Sequence, residues 1–160
     1  METTEVDPVA YTCPPEGEPG YDIGDAVVDL AFSTCEGGQT TLHGECGSPT
    51  LILNVYGWCA PCIEHLNDAG ELMAEYPELA VIAVINENPL SEPADADYCL
   101  QLRDFTDIGG TWLLDAEAQL EPYGGPGLAL VLGGDGEVLF SRDDASWTAI
   151  REAVGEAVAP

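Results

Sequence analysis

Lysine is absent from the 160-residue chain, and arginine occurs three times, at Arg103, Arg142 and Arg151, against 30 aspartates and glutamates. A lysine nucleophile or Schiff base is therefore excluded. The formal net charge of −27 makes nucleic acid and anionic membrane poor partners, because phosphate binding needs basic side chains. No apolar run approaches the roughly 18 residues of a spanning helix, so no membrane insertion of this chain is expected. Met1–Ala10 is acidic rather than basic and then apolar, so it does not read as a secretory leader. Acidic pairs are plentiful, but neither Asp95-Ala96-Asp97 nor Asp143-Asp144 has the spacing of a calcium loop. Both read as solvated surface.

What is present is enough for a core. Hydrophobic residues make up 46% of the chain, with buried-strand runs at Leu51–Tyr56 and Leu79–Ile85, and the length suits one domain. Residues 1–25, with Pro8, Pro14, Pro15 and Pro19, read as an extended acidic lead-in. Residues 26–160 read as a single domain. Val27–Phe32 and Thr40–His43 form an expected hairpin across Glu36-Gly37-Gly38. Thr50–Tyr56 is the type of run found in a central strand buried on both faces. From Pro61 to about Tyr76 the period changes, and Ile63, Leu66, Ala69, Leu72 and Met73 share one helical face. Leu79–Ile85 follows as a strand, Pro93 to about Phe105 as a helix, and Thr111–Leu114 as a short strand ended by Asp115. Leu128–Leu132 and Glu137–Ser141 pair across Gly133–Gly136. A last helix, capped by Asp144 or Ser146, runs to Val158 with Trp147, Ile150, Val154 and Ala157 inward. A β-α-β unit followed by an antiparallel β-β-α unit is an α/β sandwich with a mixed sheet.

Two of the six cysteines form Trp58-Cys59-Ala60-Pro61-Cys62, where the central strand ends and a helix begins. A thiolate there meets unpaired backbone N–H groups and the positive end of the helix dipole, which lowers its pKa below the free value. Cys59 is then the attacking thiolate, and Cys62, one turn further in, the more buried resolving thiol. Pro61 suits the first helical turn, where its missing N–H costs nothing. A zinc site would need a second ligand pair, and Cys46, Cys99, His43 and His65 supply none at suitable spacing. No metal and no organic cofactor is expected. Cys13, Cys35, Cys46 and Cys99 remain as candidates for structural disulfides, which favours an oxidising compartment. Three complete pairings are open, and the reach of the lead-in to the hairpin base favours Cys13–Cys46.

From about Gly24 to Val158 the chain resembles the thioredoxin superfamily, and within it the extracytoplasmic TlpA- and ResA-like thiol–disulfide oxidoreductases. Leu51–Cys62, strand plus redox motif, carries the resemblance most specifically. The resemblance implies a three-layer α/β/α sandwich with a mixed central sheet and an N-terminal β-hairpin extension. It implies a cis proline facing the cysteines, matched by Pro126, and a substrate groove formed with Trp58, Pro61 and Gly125. The sequence departs from the pattern in three places. The segment from Asn54 to Cys59 is one residue short, Gly125 replaces the usual Val or Thr, and Asn54 stands where a proton-accepting carboxylate is common. Glu64 is an exposed, weak substitute, and proton handling falls to water. His65 reads as a surface histidine, and His43 has no evident partner.

The implied activity is thiol–disulfide exchange with disulfide-containing client proteins, in the reductase direction, fed by a partner dithiol electron donor. The protein is expected to act as a monomer outside the cytoplasm. Two other readings stand beside it. One is a non-catalytic thioredoxin-like binding module. The other is a peroxiredoxin-like peroxidase, for which the Pro-x-x-x-Thr-x-x-Cys motif is missing. The acidity fits either a saline environment, in which repulsion is screened, or a basic client.

Overall fold

The computed structural model describes residues 13–159. Residues 1–12 of the expected lead-in, and with them the leader reading of Met1–Ala10, lie outside the described residues, as does Pro160. The elements in chain order are β1 (Ala31–Thr34), β2 (Gln39–Thr41), a 3-10 turn (His43–Glu45), β3 (Thr50–Tyr56), α1 (Ala60–Glu75), β4 (Ala80–Glu87), α2 (Ala96–Thr106), β5 (Thr111–Leu114), β6 (Ala129–Leu132), β7 (Val138–Arg142) and α3 (Trp147–Val158). They build one seven-stranded sheet in the order β2-β1-β5-β4-β3-β6-β7. Strands β3, β4 and β5 run parallel, and the remaining pairs are antiparallel. The sheet is mixed, as the element order requires.

Strand β3 sits at the centre between β4 and β6, and every residue from Thr50 to Val55 is buried. Its side chains alternate between two cores. Leu51, Leu53 and Val55 join Leu66, Ala69 and Leu72 of α1, Cys99 and Leu102 of α2, and Ile150 and Val154 of α3. Ile52, on the other face, joins Ile82, Val84, Leu113, Leu130, Val27, Leu120 and Tyr123. Each fully buried aliphatic side chain contributes about 1.5–3 kcal/mol. All three helices thus serve one face, so the second helical layer expected of an α/β/α sandwich is absent among the described elements. The opposite layer is made of turns and of the segment before β1, which explains why its covering residues lack a helical period.

The first strand begins at Ala31 rather than Val27. The backbone N–H of Val27 donates to Gly136 O (2.8 Å), and that of Val28 donates to the Tyr123 hydroxyl (2.8 Å). Those groups are spent on the far end of the sheet, not on β2. The Tyr123 hydroxyl in turn donates to Gly20 O (2.8 Å). The return strand stops at Thr41, since His43 enters the 3-10 turn. Helix α2 starts at Ala96 rather than Pro93. Ala94 N–H donates to Asn86 O (3.0 Å), and Asp95 caps the helix by accepting Tyr98 N–H (2.8 Å). Ser146, rather than Asp144, caps α3 by accepting Ala149 N–H (3.1 Å).

Disulfides join Cys13 to Cys46 and Cys35 to Cys99. The first ties the segment before residue 26 to the region beyond the hairpin. The second ties the hairpin turn to α2.

Candidate functional site

Cys59 is the N-cap of α1, with extended backbone (φ −93°, ψ 106°), and its sulfur accepts the Cys62 N–H at 3.2 Å. Cys62 lies one turn in, with its Sγ 3.7 Å from Asn54 O. The two cysteines are joined as a disulfide, with Cα atoms 5.3 Å apart. Cys59 is 8% exposed and Cys62 2%, so both are shielded and Cys59 is the more accessible. The Cys59 sulfur thus sits at the N-terminus of a 16-residue helix, where backbone N–H groups and the helix dipole favour negative charge.

Cys59 opens onto a cleft of about 250 Å³ that is also lined by Pro61, His65, Pro126, Gly127, Asp143, Asp144 and Ala145. Pro61 and Pro126 therefore border the same cleft as Cys59. Trp58 and Gly125 do not line this cleft. Trp58 is 48% exposed, donates its indole N–H to Glu87 (2.8 Å) and tilts against Tyr56 at 5.5 Å. Gly125 stands one residue outside, with its main chain held from both sides. Its N–H donates to Asp143 Oδ2 (3.2 Å), and its carbonyl accepts from Asn54 Nδ2 (3.3 Å).

The cis bond expected before Pro126 is absent. Among the described residues the cis peptide bond is Cys13–Pro14. Gly125–Leu128 instead close a β-turn, in which Leu128 N–H donates to Gly125 O (3.1 Å) and Gly127 has φ +85°. Proline second and a positive-φ glycine third is the signature of a type II turn, which is made with a trans proline. The two glycines flanking Pro126 let the chain reverse without the cis bond.

Asn54 is 2% exposed, and its Oδ1 accepts from Asn86 Nδ2. With Gly127 N–H donating to Asn54 O (3.3 Å), Asn54 clamps the Pro126 turn onto β3. It holds the turn by neutral hydrogen bonds and offers no carboxylate. Glu64 is exposed, as expected.

His65 is the residue that the sequence placed wrongly. His65 is half-buried in the cleft and stacks on Trp147, with centroids 5.6 Å apart. Burial pushes its pKa down, while Asp68 and Glu64 pull it up less strongly. Its spacing of three from Cys62 signals the same helix side, but the Trp147 neighbour comes from α3. Asp143 and Asp144 are exposed, but they border the cleft rather than open solvent alone. His43 finds a structural partner, with its Nε2 2.6 Å from Val27 O. Among the described residues no three His, Cys, Asp or Glu side chains gather as metal ligands, and no helix is long and apolar enough to cross a membrane.

No protein-family model matches the chain, and no curated protein matches it. Solved structures do. The thioredoxin domain of a Bacteroides vulgatus thiol–disulfide oxidoreductase superimposes with a TM-score of 0.71 at 13% identity, over 88% of this chain and 100% of that one. A Chlorobium tepidum protein assigned as thiol:disulfide interchange protein DsbE gives 0.69 at 22% identity, over 87% and 96%. A secreted Mycobacterium tuberculosis disulfide oxidoreductase homologous to Escherichia coli DsbE gives 0.65 at 16% identity, over 80% and 96%. The fold is therefore thioredoxin-like, with a C-x-x-C disulfide at the start of its first helix.

Proposed function

We propose that the protein is a thiol–disulfide oxidoreductase that exchanges Cys59–Cys62 with protein disulfides, acting as a reductase outside the cytoplasm. The observation that carries this reading is the Cys59–Cys62 pair at the N-terminus of α1, with Cys59 opening onto the cleft shared with Pro126. In the reduced protein the Cys59 thiolate attacks one sulfur of a client disulfide. A Cys59–client bond forms, the client S–S bond breaks, and the second client sulfur leaves as a thiolate that takes a proton from water. The Cys62 thiol loses its proton, and its thiolate attacks the Cys59 sulfur. The Cys59–Cys62 bond forms, and the client leaves as a dithiol, reduced by two electrons. A partner dithiol then restores the reduced pair. The other two disulfides, and the secreted and DsbE-like neighbours, support a place outside the cytoplasm.

The test is equilibration across graded thiol/disulfide buffers, with free thiols trapped and Cys59–Cys62 occupancy read by peptide mass spectrometry. The expected result is a reversible two-electron couple near or below about −250 mV; a value near −120 mV would make the protein an oxidant. A pair that never cycles in the folded protein would leave the binding-module reading.

A further inference from the structure

We propose that the cleft beside Cys59 selects clients carrying an arginine or lysine next to the attacked disulfide, and that Asp143 is the selecting residue. This rests on the oxidoreductase reading above. Asp143 is exposed in the loop between β7 and α3, and its Oδ2 accepts the Gly125 N–H at 3.2 Å. Gly125 directly precedes Pro126 of the turn, and its carbonyl already accepts from Asn54 Nδ2. A client strand that pairs with Gly125 must place a carbonyl where the Asp143 carboxylate now sits.

Among the described residues no arginine pairs with Asp143. Arg103 pairs with Glu36 and Asp104, Arg151 with Glu75, and Arg142 with Asp144 at 3.7 Å. The other cleft residues Pro61, Pro126, Gly127 and Ala145 carry no charge, and burial holds His65 toward its neutral form. A flanking cation on the client meets the carboxylate, draws it from Gly125 and frees the N–H for the client backbone. A flanking carboxylate meets Asp143 and Asp144 as like charges, which disfavours docking.

The experiment uses the full reduced chain and three matched peptide disulfides with Arg, Ala or Glu beside the cysteine. Uncharged hydroxyethyl disulfide serves as the control, and exchange rates are followed by stopped flow at low salt. The Arg peptide is expected to react about tenfold faster than the Glu peptide, the scale of one charge pair near a surface. Asp143→Asn is expected to cut that ratio to about threefold, and Asp143→Glu to restore most of it. Glu71→Gln removes an equal charge from the exposed side of α1 and is expected to leave the ratio unchanged. Glu71→Gln should react with hydroxyethyl disulfide at the wild-type rate, and the peptide rates of each Asp143 variant are divided by that variant's own hydroxyethyl disulfide rate. An unchanged ratio in Asp143→Asn, or an equal fall in Glu71→Gln, would overturn the assignment in favour of overall charge alone. Failure of the wild type to react with any disulfide would overturn the oxidoreductase reading and this proposal together.

Discussion

At the scale of single residues, His65 offers a direct readout of the cleft. It stacks on Trp147 and shares the cleft with Asp143 and Asp144, while Glu64 and Asp68 lie on its own helix. Burial dominates and lowers its pKa below the unfolded value near 6.5. Above that value both folded and unfolded chains carry it neutral. As pH falls through about 6.5 the unfolded chain takes the proton first, so the folded state loses stability down to its own lower pKa. Between about pH 7.5 and about pH 5.5 the wild-type urea midpoint should therefore fall more than that of His65→Gln. Equal slopes for the two proteins would show that His65 is as solvated as in the unfolded chain.

At the scale of elements, the hairpin is the piece whose attachment is most exposed to test. Strand β1 reaches β5 through Ser33 and Thr34 opposite Leu114 and Leu113, and Cys35 N–H donates to Trp112 O (3.0 Å). Strand β2 is three residues long and forms the sheet edge, and so short an edge resists pairing with other chains. The Cys35–Cys99 bond, between residues 64 apart, fastens this extension to α2. Loop-closure entropy for that separation is worth about 4 kcal/mol. The double variant C35A/C99A should lose stability of that order in non-reducing urea titrations. A loss below about 1 kcal/mol would mean that sheet pairing alone secures the hairpin.

For the whole molecule, the decisive quantity is charge. Thirty carboxylates face three arginines, and all three arginines are engaged in surface pairs, which contribute little individually. Self-repulsion therefore outweighs attraction, and salt relieves it. Raising NaCl from about 0.01 M to about 1 M shortens the screening length from about 30 Å to about 3 Å. The melting temperature should rise by several degrees over that range. A fall would show that the arginine pairs, not the repulsion, govern stability.

What the sequence alone determined is local. The apolar run Thr50–Tyr56, the cysteines at 59 and 62 and the period of Leu66, Ala69 and Leu72 are contiguous, so strand, C-x-x-C turn and helix follow from neighbouring residues. The same holds for β5, read at Thr111–Leu114, and for the β6–β7 pair across its glycines. The hairpin's first strand was misplaced because Val27 and Val28 give their N–H groups to Gly136 and Tyr123, partners far along the chain. The cleft was only half legible for the same reason. Asp143 reaches Gly125 across 18 residues, and Asn54 reaches it across 71. Neither spacing is periodic, so neither leaves a trace in the pattern. The trans turn at Pro126 depended on its two glycine neighbours rather than on the proline. The reach of the lead-in pointed to Cys13–Cys46, but which histidine borders the Cys59 cleft and which carboxylate holds the Gly125 N–H were decided when distant segments packed on one sheet.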